Sequence, residues 1–481
     1  MRRFLAACLA GALFLAGCAS TGPSSPPSDS SSSAGSASRP DSGLSPITAG
    51  HIGDSARSVV TLAPPTDMWD RIRRGFKMPD LDSDLVRDRE QWYATRPDYI
   101  QRMVDRSNKY IFHVVEELER RGMPTELALL PYIESAFNPQ AVSSARAAGM
   151  WQFMPATGAD YDLKQNIFRD DRRDVVASTR AALDYLQRLY DTFGDWQLAL
   201  AAYNWGEGSV GRAIARNQKA GLPTGYTDLK MPDETRYYVP KLQAVKNIIA
   251  DPQKFGVELP YVSNHPYFQT VTLTRDLDVE LAAKLADVRV EDFRALNPAA
   301  HKPVLLAAGG STEILLPWDN AAVFERNFDA YNQGQYASWT AWTVPATMTA
   351  AEAAQRSGMS EADLRTMNSI PPRMLIKAGS TLIVPRSARV QQDVDAVVAE
   401  TGHLSFEPEI VTRRTTVKAG RRDTPATIAR RYRLNPSSVA KWNDVGAGHT
   451  FRRGYQVVVY LPVRAAAAAR VGSGARAAHA G

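Results

Sequence analysis

Apolar residues recur with a helical period from about Trp69 to Phe255. In Asp98–Arg121 the positions Ile100, Val104, Ile111, Val114, Val115 and Leu118 fall on one face of a single helix, and Gly122 is its stop. Val175–Phe193 carries Ala181, Ala182, Tyr185, Leu186 and Leu189 in the same rhythm, which Trp196–Tyr203 and Tyr237–Ile249 repeat. No strand-like alternation breaks this stretch, so an all-α domain is expected over residues 61–258.

After about residue 260 three similar units follow. The third, 411–463, is the clearest, with Thr416–Gly420, Ile428–Tyr432, Val439, Trp442-Asn443, Gly454 and Gln456–Tyr460 reading as strand, helix, helix, strand. The second, 338–388, keeps Trp342-Thr343-Val344, Met367-Asn368 and Leu382–Pro385. The first, 265–320, keeps Leu281–Leu285, Leu296-Asn297-Pro298 and Ile314–Pro317. Each ends in an apolar strand followed by Pro. The fold class is therefore mainly α: an all-α domain followed by small βααβ units. The third unit resembles a LysM domain, and the resemblance implies binding of glycans that contain N-acetylglucosamine. Pro425 stands where that family has an aliphatic residue, and suits the first position of a helix. The first and second units are degenerate versions, with a folded spacer as the alternative reading. The tail, 464–481, is rich in Ala, Arg and Gly and is expected to be disordered.

The opening of the chain has a different character. Met1-Arg2-Arg3 is basic, Phe4–Ala16 is apolar but too short to span a bilayer, and Leu15-Ala16-Gly17-Cys18 follows. This resembles a lipobox. It implies a lipoprotein signal peptide over 1–17 and lipidation at Cys18, and several acyl chains suffice for stable anchoring. With Ala19 rather than Asp after Cys18, the resemblance implies an outer-membrane lipoprotein on the periplasmic face. Residues 18–60, dominated by Ser, Gly, Pro and Ala, read as a disordered tether.

Composition narrows the picture further. Hydrophobic residues make up 44% and charged residues 22%, as in a globular protein with a real core. The net charge of +6, or +4 without Arg2 and Arg3, suits an anionic polymer or membrane surface but is too weak to argue for nucleic acid. Cys8 and Cys18 are the only cysteines, so neither a disulfide framework nor a Cys-based metal site is expected in the body. The seven histidines lack ligand spacing, and no cofactor or metal is expected.

The stretch that carries chemistry is Leu129–Pro139, with Glu134 in it, continued by Ala141, Ser143 and Gly149–Gly158. Ala202-Tyr203-Asn204-Trp205-Gly206 and Glu234–Val239 come later. Glu126–Ser135 reads as a helix ended by an Asn138-Pro139 turn. Glu134 then lies at a helix C-terminus, whose carbonyls disfavour an anion. Tyr132, Phe137, Trp151, Phe153 and Met154 would be its apolar walls. Both effects raise a carboxyl pKa, and a protonated carboxyl is what a glycosidic oxygen needs from a general acid. A helix-end Glu by itself is ordinarily just solvated. Phe137 suits core packing as well as a groove, Gly149 suits a close backbone approach, and Glu234 with Arg236 suits a structural ion pair as well as substrate contact.

The ordered pattern E-S-x-F-N-P-x-A-x-S, then G-x-x-Q-F-M-P-A-T, resembles the Slt-type catalytic domain of lytic transglycosylases over residues 105–250. With the lipobox before it and LysM-like units after, the arrangement resembles the membrane-bound D-type branch of that family. The resemblance implies a lysozyme-like α fold acting on peptidoglycan. It places the catalytic glutamate on Glu134 and substrate contacts on Ser143, Gln152, Met154, Tyr203 and Asn204, with Tyr203 as the hydrogen-bond donor that holds Glu134. Trp151 departs from the Met usual in the wider family, and Ala136 from a commoner polar or small residue. The implied course uses Glu134 as sole acid and base. It cleaves the β-1,4 bond between N-acetylmuramic acid and N-acetylglucosamine and leaves a 1,6-anhydro ring, without water. A lysozyme-type hydrolase and a non-catalytic wall-binding lipoprotein are the alternatives.

Overall fold

The structure, a computed structural model, describes residues 65, 67–307, 312–387, 392–409 and 412–462. The leader, Cys18, the tether and the tail lie outside the described residues. None of the described helices is long and apolar enough to cross a membrane.

The first region is helical from Met68 to Phe255, and no named strand occurs in it among the described residues. Val175–Phe193 forms as expected, because Asp174 caps its start by accepting the Ala177 N–H at 2.8 Å and Gly194 ends it with φ 66°. Trp196–Trp205 and Tyr238–Ala250 follow the sequence period to within two residues. The single helix expected over Asp98–Arg121 is instead two, Pro97–Ser107 and Ile111–Arg120. Ser107 is the cause. It is fully buried, its hydroxyl donates to the Val104 carbonyl and accepts from Tyr132, and the chain turns beyond it so that Tyr110 reaches the Ala295 carbonyl at 2.9 Å. Gly122 then ends the second helix with φ 66°.

Three α/β units follow. In each, the first and last strands pair antiparallel: Phe268–Thr272 with Glu313–Pro317, Trp339–Thr343 with Thr381–Pro385, and Thr412–Lys418 with Gln456–Pro462. An asparagine at the end of the second helix or directly after it repeats one device in all three. Asn297, Asn368 and Asn443 each donate to a carbonyl four residues back and to a last-strand carbonyl, Leu315, Ile383 or Val458. Each also accepts the N–H of that same strand residue, at 2.8, 2.7 and 2.7 Å. The side chain thereby acts as one extra rung of sheet and locks helix to strand. Only the third unit is a plain βααβ. The first adds the strand pair Leu277–Asp278 with Val304–Leu305 and a helix over Ala321–Ala330. The second adds Met374–Ile376 paired with Phe406–Pro408. In the third, Pro425 opens the first helix, with Thr424 as its cap.

The first two units are fixed to the helical region and to each other. Phe168 packs with Val304, Ile383, Val394 and Ala399, and a Cβ at Gly402 would lie 2.5 Å from the Phe168 ring. Arg386 of the second unit pairs with Asp276 of the first at 3.0 Å, with both side chains out of solvent. Asp276 also accepts the N–H groups of Val394 and Ala307 at 2.8 and 3.0 Å. Breaking such a pair from one side strands a buried charge. Arg386→Met is therefore expected to cost about 3–5 kcal/mol in the unfolding of these units. The double change with Asp276→Asn, which removes the charge and keeps an acceptor for one of those N–H groups, is expected to recover part of it. Calorimetry checks this, and equal losses in both variants would contradict the assigned role.

Candidate active site

Glu134 lies in the last turn of Leu130–Ser135, a short α-helix that continues a 3-10 turn over Thr125–Leu129. The expected C-terminal placement holds, but Asn138-Pro139 does not end the helix. Ala136 and Phe137 do, with left-handed φ of 51° and 54°. For residues with a Cβ this conformation costs about 1–2 kcal/mol each. It is held by Phe137, which donates its N–H back to the Pro131 carbonyl at 2.9 Å and is fully buried edge-on to Tyr132. Phe137 is thus a core residue rather than a groove residue. Ser135 fastens the helix end to the next loop, donating to the Met150 carbonyl at 2.9 Å and accepting the Asn138 N–H at 3.1 Å.

That loop, Ala141–Met154, lies against the helix. Gly149 makes the close approach expected of it: with φ 83°, an added Cβ would stand 1.7 Å from the Arg172 carbonyl oxygen. Trp151 is fully buried and donates its indole N–H to Thr179 at 3.1 Å. Of the expected walls, Tyr132, Phe137, Trp151 and Phe153 are therefore packed inward, and only Met154 is exposed, at 44%.

The Glu134 carboxyl keeps partial exposure, and its pKa is raised from 4.5 to about 7. Loss of solvent is the leading cause. A hydrogen bond from Tyr238 opposes it, the charge of Glu234 adds to it, and Lys241 opposes it weakly. The donor to Glu134 Oε1 is the Tyr238 hydroxyl. Tyr203, expected in that role, instead donates to the Trp151 carbonyl at 2.9 Å. Its ring packs on Tyr185 and Phe153, and the nearby Glu134 carboxylate adds to burial in raising its pKa. Burial holds the pKa of Tyr203 and Tyr238 well above 10, so both remain donors at neutral pH.

A second cross-link sets the register of this contact. Glu126, eight residues before Glu134, is buried and pairs with Lys246, eight residues after Tyr238, at 3.1 Å. Glu126 also accepts the N–H groups of Lys77 and Met78. Two antiparallel segments are thus joined at both ends, which sets the Tyr238 hydroxyl against the Glu134 carboxyl.

The other site residues adjoin this core. Ser143 accepts the Ala147 N–H at 3.0 Å, and Gln152, with φ 52°, donates to the Gly149 carbonyl at 2.7 Å. The side-chain hydrogen bonds of Ser143 and Gln152 stay within the loop, and Met154 is exposed at its end. Asn204 accepts the Thr235 hydroxyl at 2.8 Å, which ties it to the segment before Tyr238. The Glu234–Arg236 pair does not form; Arg236 pairs with Asp233 at 3.0 Å on the surface. Asp170 and Asp171 pair with Arg172 and Arg169, and Asp174 caps a helix, so none stands ready as a second carboxylate. Tyr238 had a signal in the sequence: it shares the spacing of Leu242, Val245 and Ile249, all buried, and so faces inward. A cavity of about 1200 Å³ lies elsewhere, lined by Ile167, Lys302, Trp339, Met367 and His403.

A transglycosylase SLT domain matches residues 114–222, the part of the helical region that holds Glu134 and Tyr203. The MltD LysM-like domain of lytic transglycosylases matches 267–333, and the LysM domain matches 354–385. The chain is 33% identical to membrane-bound lytic murein transglycosylase D of Escherichia coli over 398 residues, 80% of this chain and 84% of that one. It is 36% identical to membrane-bound lytic murein transglycosylase F of Yersinia enterocolitica over 126 residues, 23% of this chain and 24% of that one. The chain belongs to the family of membrane-bound lytic murein transglycosylase D.

The raised Glu134 pKa has a consequence for stability. Below pH 4.5 the folded and unfolded chains both hold the proton. Between 4.5 and about 7 the unfolded chain ionises first, so stability falls as pH rises, and above about 7 the loss is complete. Partial exposure keeps that loss on the order of 2 kcal/mol. The stability advantage of Glu134→Gln is therefore expected to grow by that amount from about pH 4 to about pH 8 in urea unfolding. A pH-independent difference would contradict the burial described.

Proposed function

We propose that the chain cleaves peptidoglycan strands between N-acetylmuramic acid and N-acetylglucosamine, with Glu134 as sole acid and base and a 1,6-anhydro muramyl end as product. The observation that carries this reading is a carboxyl with a pKa near neutrality, hydrogen-bonded to Tyr238. Two-carboxylate glycosidases need a second acidic group beside the bond, and of the aspartates that follow the motif Asp170, Asp171 and Asp174 are engaged elsewhere. Glu134 begins protonated and gives its proton to the leaving oxygen. Tyr238 then steadies the carboxylate that forms. The substrate acetamido group stabilises the cationic centre. Glu134 takes the proton of the muramyl C6 hydroxyl, whose oxygen closes the ring. Ser143, Gln152, Met154 and Asn204 hold the sugars, and Tyr203 shapes the pocket through the Trp151 carbonyl. Lipidation at Cys18 anchors the protein at the periplasmic face of the outer membrane, consistent with its membrane-bound relatives.

Glu134→Gln keeps the shape and removes the proton donor. Turnover is expected to fall at least about a hundredfold, the lower end of general-acid contributions. Wild-type kcat/KM is expected to decline as pH rises through about 7, where Glu134 loses its proton. Mass spectrometry of released muropeptides reads the products. Anhydro ends support the proposal, and reducing ends would instead make the enzyme a hydrolase. Glu234 is the one carboxylate that raises the Glu134 pKa. If water is the nucleophile, Glu234→Gln abolishes activity as well; under the present reading it lowers the pH at which activity declines.

A further inference from the structure

The three repeat units share a fold but not a charge. Residues 412–462 hold nine arginines and two lysines against Asp423 and Asp444, a net +9. The whole chain is +6, so the remainder is −3. The first unit, counted over 268–317, is −2, and the second, over 339–385, is +1. All eleven cations of the third unit are exposed, and among the described residues only Arg431 is ion-paired, with Asp423 at 2.9 Å.

Matching backbone hydrogen bonds show which positions correspond. Val344 donates to the Ser380 carbonyl and Gly379 to that of Val344, both at 2.8 Å. In the third unit Ala419 donates to Tyr455 and Gly454 to Ala419, again at 2.8 Å. The two loops so joined carry Ala346-Thr347 and Lys377-Ala378 in the second unit, but Arg421-Arg422 and Arg452-Arg453 in the third. The fold therefore requires no charge at three of these four positions. Cover differs too. Ser380 is fully buried, donating to the Ser405 carbonyl of an overlying segment at 3.1 Å. Its counterpart Tyr455 is 49% exposed, with its ring stacked on Phe451 at 5.6 Å.

We propose that this open end of the third unit binds the carboxylates of the peptide side chains on peptidoglycan strands, with Arg421, Arg422, Arg452 and Arg453 as the contacts and Tyr455 as an apolar platform between them. Guanidinium forks match carboxylates in two-point geometry. An anionic bilayer shares the charge but also takes up apolar side chains, and among the described residues of this unit Tyr455 is the one large hydrophobic that is exposed. The inference rests on peptidoglycan being the substrate.

The test uses the full chain carrying Glu134→Gln, so that the wall is not digested during binding. Sacculi are compared with strands freed of stem peptides by an amidase. Changing the four arginines to Gln is expected to weaken sacculus binding roughly tenfold, as four exposed charge contacts each contribute a little under twofold. The loss is expected to vanish on peptide-free strands and to shrink at high salt. Changing the four to Lys retains the charge and is expected to restore part of the affinity. An equal loss on both polymers, or no loss on either, overturns the proposal. Capture by vesicles of phosphatidylglycerol that depends on these arginines, with sacculus binding unchanged, overturns it in favour of a membrane surface. Failure of wild type to bind or cleave the wall at all would instead remove the substrate reading itself.

Discussion

The arrangement of the helical region depends on removing the Glu134 carboxyl from most of its solvent while giving it one side-chain donor, Tyr238. Desolvation favours the neutral acid, and a single neutral hydrogen bond offsets only part of that preference. A guanidinium in the same place would lower the pKa and leave a carboxylate with no proton to give. The surrounding structure preserves this balance. Lys246 is committed to Glu126 and Asp80, and Arg172 to Asp170. These two buried cations are thus kept occupied away from the acid, which leaves Lys241 as the smallest of the influences on it.

Rigidity comes from the same contacts. The Glu126–Lys246 pair and the Glu134–Tyr238 hydrogen bond join two segments at both ends, so the acid moves only if the Tyr238–Ala250 helix moves with it. The left-handed pair Ala136-Phe137 turns the chain sharply after Glu134, and the buried Phe137 ring holds that turn. In the repeat units the asparagine rung does comparable work, joining the second helix to the last strand three times over. Fold and surface then separate: three units keep the rung while their net charges run from −2 to +9.

Much of this was legible in the sequence because it rests on local rules. The Val175–Phe193 helix has its cap, its apolar face and its terminal glycine in the right order, and Pro425 opens a helix where a proline is tolerated. The placement of Glu134 at a helix end came from the same kind of reading. What was not legible depends on distant partners. The break after Ser107 answers to Tyr132, twenty-five residues on. The turn at Ala136-Phe137 answers to a core pocket, although Asn138-Pro139 looks the stronger local signal. The exchange of Tyr203 for Tyr238 turns on which hydroxyl reaches the acid across the fold, and helical spacing places both rings inward without choosing between them.

The most direct test of this account is the titration of the Glu134 carboxyl itself, followed by carbon NMR in protein labelled at glutamate and assigned with Glu134→Gln. A midpoint at about 7 is expected in the wild-type protein. A higher midpoint is expected in Tyr238→Phe, because the lost hydrogen bond had favoured the carboxylate. A wild-type midpoint at the ordinary 4.5, or a midpoint that Tyr238→Phe leaves in place, would contradict it.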